Sequence, residues 1–144
     1  MNITLISLYP DITTYGIRIL SACLKKDGHK VRNIFLQNRS HERYEEVILE
    51  EVAALSKGAD LMGISLMTNF FEEAVQVTQK LKNRTAAPIL WGGIHPTIRP
   101  EECLEHADMV CIGEGEESLV ELVRKMEDGR DIFNTQGMWF KNRG

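Results

Sequence analysis

Short runs of apolar, largely β-branched residues alternate along the chain with longer segments in which apolar residues recur at helical spacing. The short runs predict five strands, at residues 3–8, 31–36, 61–66, 89–91 and 109–112. These runs are apolar through most of their length, which is typical of strands buried on both faces. The alternation predicts an α/β fold: a doubly wound (Rossmann-like or flavodoxin-like) five-stranded parallel sheet with helices on both faces.

The helical segments between the strands locate the candidate site. Leu119, Leu122, Val123 and Met126 have the clearest helical spacing, and a short helix is expected after Pro100. Right-handed crossovers bring the carboxyl ends of all parallel strands to one edge of the sheet. Ligands of such folds bind in the crevice at that edge, so residues that follow strand ends are the candidates.

Glycines, hydroxyls and a few charged side chains collect at these strand ends. The candidate cofactor-binding residues are Asp11, Thr13, Thr14, Tyr15 and Gly16 after the first strand, Ser65, Met67 and Thr68 at the third, Gly92, Gly93 and His95 after the fourth, and Gly113, Glu114 and Gly115 after the fifth. Glycine permits close approach of a ligand to the backbone, and hydroxyls donate to ring nitrogens or phosphate oxygens. The set predicts a ligand-binding site at this edge of the sheet, where a ligand can approach the backbone closely.

Composition narrows the class of protein. A chain of 144 residues, 43% hydrophobic and 26% charged, is expected to form one soluble globular domain. A net charge of −4 without a basic cluster argues against nucleic acid or a membrane surface as partner. No apolar stretch approaches the roughly 20 residues that span a bilayer, and a cytoplasmic location is expected. The three cysteines have no metal-binding spacing and are expected to be reduced and packed.

The last fifteen positions differ from the rest of the chain. Residues 138–140 have the pattern of a strand and residues 142–144 that of a turn, but no return strand follows. We therefore expect a cofactor-binding domain at 1–129. Residues 130–144 are expected to begin a linker or hairpin that leads to a C-terminal region absent from this chain.

The strand-end motifs resemble those of cobalamin (vitamin B12)-binding domains, in particular the domains at the N-terminus of cobalamin-dependent radical S-adenosylmethionine enzymes. Residues 11–16 have the outline of Asp-x-His-x-x-Gly, Ser65 and Thr68 match a Ser-x-x-Thr element, and Gly92 with Gly93 match a Gly-Gly pair. The resemblance implies that cobalamin binds base-off, with its nucleotide tail in a slot between sheet and helices. A Gly93→Val substitution is then expected to abolish cobalamin retention while leaving the fold intact.

Thr13 stands where that family motif has its cobalt-ligating histidine. A neutral hydroxyl is a poor ligand for such a centre, so we expect no histidine, and no metal ligand from these residues, below the cobalt. His41 is the outside candidate for an unexpected cobalt ligand, and His95 could either contact the cofactor or fix its own loop by a hydrogen bond. A cobalt without a strong axial donor suits methyl transfer or related radical chemistry.

The resemblance also implies that catalysis belongs to a longer protein. Radical S-adenosylmethionine enzymes hold a [4Fe-4S] cluster on Cys-x-x-x-Cys-x-x-Cys, a motif absent from these residues. We therefore expect this chain to bind cobalamin without catalysing a reaction, and a C-terminal catalytic domain to bind S-adenosylmethionine and the iron-sulfur cluster. The alternatives are a stand-alone corrinoid carrier or sensor, or a flavin- or nucleotide-binding flavodoxin-like domain. The flavodoxin-like alternative lacks support from a glycine-rich phosphate motif after the first strand.

Overall fold

Strands and helices alternate through the computed structural model, which describes residues 1–37 and 42–141. The strands are β1 (Asn2–Ser7), β2 (Lys30–Phe35), β3 (Leu61–Ser65), β4 (Ile89–Gly92), β5 (Met109–Cys111) and β6 (Met138–Phe140). The α-helices are α1 (Tyr15–Lys26), α2 (Glu46–Leu55), α3 (Phe71–Lys82), α4 (Ile94–Ile98), α5 (Pro100–Leu104) and α6 (Glu116–Glu127). The five strands predicted from the apolar runs are present.

The sheet has a Rossmann-like arrangement with strand order β2-β1-β3-β4-β5-β6. Strands β1 to β5 are parallel, whereas β6 is antiparallel to β5 and pairs Met138 with Cys111. The prediction of five strands, all parallel, is therefore wrong in the number of strands and in the direction of the last. Three residues carry too little pattern to identify their partner, and the pairing depends on the reversal after α6, where Gly137 has a φ of +75°.

Helices cover both faces of the sheet, as the alternating pattern predicts. Helices α2, α3 and α5 enclose one core, in which Phe70 and Trp91 are fully buried. Helices α1 and α6 enclose the other, which includes Leu5 and Leu90 on the sheet. The two faces are therefore separate packing units, and the cleft described below lies on the α1 and α6 face.

Register brings the candidate residues side by side at one edge. Ser7 is opposite Ser65 across β1 and β3, and Ser65 is opposite Gly92 across β3 and β4. Helix α4 was not predicted, because five residues that include Pro96 show no helical period. It begins directly after Gly93. Among the described helices, none is long and apolar enough to cross a membrane.

Candidate functional site

A cleft opens at the carboxyl ends of the parallel strands, between the sheet and helices α1 and α6. Its narrow part, the inner slot, has a volume of about 60 Å³ and is lined by Leu5, Ile17, Leu20, Gly63, Ile64, Ser65, Leu90, Gly92, Gly93, Cys111, Gly113, Gly115 and Leu119. Its wider part, the mouth, has a volume of about 450 Å³ and is lined by Tyr9, Thr14, Gly16, Ile17, Leu20, Ser65, Gly93, Ile94, Thr97, Ile98, Gly113, Glu114, Gly115 and Glu116. The two parts are neighbours and share six lining residues.

The cleft brings together residues from all four loops that the sequence singled out. The predicted residues that line it are Thr14, Gly16, Ser65, Gly92, Gly93, Gly113, Glu114 and Gly115. The predicted residues that do not line it are Asp11, Thr13, Tyr15, Met67, Thr68 and His95. His41 lies outside the described residues.

Glycines keep the inner slot open. A Cβ atom on Gly63 would lie 2.9 Å from Leu5 Cδ2, and one on Gly115 would lie 3.1 Å from Leu20 Cδ2. A Cβ atom on Gly92 would meet Cys111 Cβ at an ordinary 3.9 Å. Side chains at these positions would therefore occupy the slot, and at Gly92 a side chain could do so without a clash.

Gly93 has a backbone conformation that side chains do not tolerate. Its φ of +109° and ψ of −163° lie in a region that is essentially restricted to glycine. A Cβ atom there would be 2.7 Å from the Leu66 carbonyl oxygen. The expectation that Gly93→Val leaves the fold intact is therefore wrong, because the substitution collides with the backbone of the neighbouring loop.

Thr97 connects the loops that follow β4 and β5. Its hydroxyl donates to the Gly93 carbonyl oxygen at 2.8 Å and accepts from the Gly113 amide at 3.0 Å. Both glycines line the inner slot and the mouth. Thr97 therefore holds the two glycine loops at a set separation, a role that the sequence analysis did not assign to it.

Replacing Thr97 by valine is expected to lower the free energy of unfolding by about 1–2 kcal/mol, because the isosteric side chain loses both hydrogen bonds. Hydrogen exchange of the Gly113 amide should become faster as well. Urea denaturation and amide exchange measured by NMR check the two effects. Thr97→Ser keeps the hydroxyl and is the matched control; equal stability of the valine and serine variants would show that the hydroxyl does not hold the loops.

Thr68 and His95 bind each other on the other side of the Gly-Gly loop. His95 Nδ1 is 3.1 Å from Thr68 Oγ1, and the His95 side chain is buried against the Phe71 ring, with ring centroids 5.0 Å apart. Its Nε2 lies 3.3 Å from a Glu102 carboxylate oxygen but makes no hydrogen bond. In this structure the pair fastens the loop after β3 to helix α4.

The loop after β1 is organised by Asp11. The Asp11 carboxylate accepts from the Thr13 amide at 2.8 Å, and the Asp11 carbonyl accepts from the Thr14 hydroxyl at 2.7 Å. Arg18 also donates to the Ile12 carbonyl from the first turns of α1. Asp11 thus shapes the turn before the helix, while the Thr13 and Tyr15 side chains are exposed at the edge.

Tyr9 and Ser65 form a polar pair where the inner slot meets the mouth. Burial raises the pKa of Tyr9, and a side-chain hydrogen bond with Ser65 opposes that shift only in part. The phenol therefore stays protonated at neutral pH and provides a hydroxyl beside Ser65. Tyr9 follows the first strand directly, so its position was the available signal that the sequence analysis did not use.

Glu116 provides an unsatisfied acceptor at the mouth. Its Oε2 atom is buried and has no hydrogen-bond partner. Buried polar atoms without a partner are uncommon in native proteins and cost free energy unless a ligand or water satisfies them. Glu116 is the first residue of α6, so its carboxylate is placed to accept from a donor held in the mouth.

The inner slot must widen before a ring can enter it. An apolar cavity of about 150 Å³ accommodates benzene, and the inner slot is smaller, at about 60 Å³. Leu20 is half-buried and lines both the slot and the mouth. It is therefore the side chain whose movement would connect the two parts most directly.

One family model matches most of the chain, and one curated relative shares part of it. The model of the B12 binding domain matches residues 1–123. An uncharacterized methyltransferase of Pyrococcus horikoshii is 29% identical over 106 residues, which are 69% of this chain and 23% of that protein. The chain thus spans about a quarter of the length of this curated relative.

Two solved structures share the fold. Both are of TsrM, a radical S-adenosylmethionine methyltransferase from Kitasatospora setae, one with tryptophan substrate and an S-adenosylmethionine analogue and one with cobalamin and a [4Fe-4S] cluster. Each matches with a TM-score of 0.82 at 21% identity, covering 99% of this chain and 28% or 27% of the TsrM chain. At that identity the likeness establishes the fold.

Proposed function

This chain belongs to the B12 binding domain family, and on that premise we propose that it holds cobalamin base-off, with the nucleotide tail in the inner slot and the corrin ring over the mouth. The observation that carries the proposal is the slot itself. Gly63, Gly92 and Gly115 leave space against the end of the sheet that larger side chains would fill. Bound cobalamin would supply methyl-transfer or related radical chemistry.

The residues around the cleft suit this cofactor. Ser65 can hydrogen-bond a ring nitrogen of the tail, with Tyr9 beside it. The buried Glu116 oxygen lacks a donor, and the amide side chains of a corrin supply N–H donors. Ile94 and Ile98 are 57% and 61% exposed at the mouth and would be covered by an apolar ring face. The hydroxyls, the buried carboxylate oxygen and the exposed isoleucines therefore all support cobalamin as the ligand.

We propose further that no protein nitrogen lies below the cobalt. Thr13 offers only a hydroxyl, and among the residues that the structure describes no histidine lines the mouth. His29 is buried between Asp27 and the terminal amine, and His106 stacks on Trp91. A weak or absent axial donor makes the metal easier to reduce, which supports low-potential chemistry.

We also propose that this domain is the N-terminal module of a longer radical S-adenosylmethionine enzyme. The similarity to a methyltransferase of about three times the length supports a methyl-transfer role. In such a protein S-adenosylmethionine and the [4Fe-4S] cluster would be bound by a C-terminal catalytic domain. The residues described above would then bind and orient the corrinoid.

Reconstitution with hydroxocobalamin tests the proposed function. The protein is expected to retain the corrinoid through gel filtration, and the electron paramagnetic resonance spectrum of its cobalt(II) form should lack nitrogen superhyperfine splitting. Thr13→His should introduce that splitting by supplying an imidazole, and Thr13→Val is the matched control without one. Failure to retain the corrinoid would refute the function, and nitrogen splitting in the unsubstituted protein would refute the nitrogen-free lower face.

A further inference from the structure

The inner slot offers a bound base few hydrogen-bonding side chains. Among the described residues that line it, leucine, isoleucine and glycine predominate, and the polar side-chain atoms are the Ser65 hydroxyl and the Cys111 thiol. Burial raises the pKa of Cys111 to about 11, so the thiol is neutral and a weak partner. A base in the slot therefore has one hydroxyl with capacity for a strong hydrogen bond.

Two backbone carbonyls at the slot already accept hydrogen bonds within the fold. The Ser65 carbonyl accepts from the Leu8 amide at 3.1 Å, and the Gly92 carbonyl accepts from the Leu66 amide at 3.1 Å. Both groups are thus occupied by the strand and loop connections of the sheet. Among the described side chains that line the slot, those of Ser65 and Cys111 alone could pair with polar atoms on the edge of a buried base.

Resting on the proposed tail-slot function, we propose that the inner slot selects corrinoids by the polarity of their terminal base, accepting benzimidazole-type bases and disfavouring purines. A benzimidazole released from cobalt exposes one ring nitrogen, which the Ser65 hydroxyl satisfies. Adenine, a bicycle of similar size, adds an exocyclic amine and further ring nitrogens. Burying even one of these groups without a partner weakens binding by about tenfold or more.

The basicity of the two bases makes the comparison stringent. Adenine nitrogens are less basic than those of benzimidazole and coordinate cobalt more weakly, so a free adeninyl corrinoid is released from cobalt more easily. A slot indifferent to polarity would therefore bind the adeninyl corrinoid at least as tightly. We infer tighter binding of the benzimidazolyl corrinoid, which is the opposite preference. Easier release of the base from cobalt in the free corrinoid cannot produce that preference.

Equilibrium dialysis of the full chain against benzimidazolyl cobamide, adeninyl cobamide and cobinamide tests the inference. Cobinamide has no nucleotide tail and controls for binding of the corrin alone. The expected order is benzimidazolyl tightest, with adeninyl at least about tenfold weaker. Cys111→Ser places a hydroxyl in the slot and should narrow this ratio by threefold or more. Cys111→Ala adds no polar group and should leave the ratio unchanged. Because both variants are tested with the same corrinoids, differences between the free corrinoids cancel when the two ratios are compared.

The outcomes separate the two proposals. If neither tailed corrinoid binds more tightly than cobinamide, the tail-slot function itself is refuted. If both exceed cobinamide but adeninyl binds as tightly as benzimidazolyl, the function survives and the base selectivity is overturned. Equal ratios for the serine and alanine variants overturn it too, because polarity would then not be the cause.

Discussion

Gly92→Val is expected to abolish retention of cobalamin, with a loss of affinity on the order of 100-fold or more, while the fold persists. Gly92 ends β4, and a Cβ atom there meets Cys111 Cβ at 3.9 Å, so a branched side chain is accommodated in a strand but extends into the inner slot. The free energy of unfolding should change by less than about 1 kcal/mol. Gel filtration with hydroxocobalamin and urea denaturation measure the two quantities.

Gly92→Ala is the matched control for this experiment. Its single methyl group makes only an ordinary contact with Cys111 and should leave most of the binding. Retention of cobalamin by the folded valine variant at the level of the unsubstituted protein would show that the tail does not enter the slot. An unfolded valine variant would contradict the contact geometry at this position.

Gly93→Ala is expected to destabilise the protein by about 3 kcal/mol or more, although it adds the same single methyl group as Gly92→Ala does at the neighbouring position. The conformation at φ +109° and ψ −163° costs a side chain about 1–3 kcal/mol, and overlap with the Leu66 carbonyl oxygen at 2.7 Å adds to that cost. Urea denaturation gives the free energy of unfolding from the midpoint and slope.

The two adjacent alanine variants form their own control. Gly92→Ala should stay within about 1 kcal/mol of the unsubstituted protein, because its added methyl group has no close neighbour. Equal stabilities for Gly92→Ala and Gly93→Ala would refute the assignment of strain to Gly93. A difference in the expected direction would separate a glycine needed for the backbone from one needed for the ligand.

Much of the candidate site was predictable because it depends on local pattern and on the handedness of crossovers. Apolar runs located β1 to β5, and parallel pairing then put Ser65 and Gly92 side by side. Other contributors were missed for physical reasons. Gly63 lies in the middle of a strand, and a single glycine there does not indicate which side chain packs against it. Thr97 sits in a helix too short to show a period, and its partners are fixed only by folding.

Thr68 illustrates a limit of motif reasoning. Its place beside Ser65 suggested that its hydroxyl would face a ligand, whereas in the structure that hydroxyl bonds His95 and does not line the cleft. Hydroxyls bind whichever group packing brings within reach. The sequence therefore showed that a hydroxyl is present at this position, but it did not predict which group the hydroxyl bonds.

Periodicity was sufficient to predict the α/β class and the sheet edge at which the cleft opens, since both depend on spacing along the chain. The resemblance to a known motif singled out the Gly-Gly pair and Thr13, because residue type and order are enough for that comparison. Tertiary packing alone decided that β6 joins the sheet antiparallel, that Thr97 connects two loops, and that Gly93 is strained while Gly92 is not. Those outcomes depend on distances between atoms of residues far apart in sequence. Such distances arise only when the crossovers and side chains are packed together.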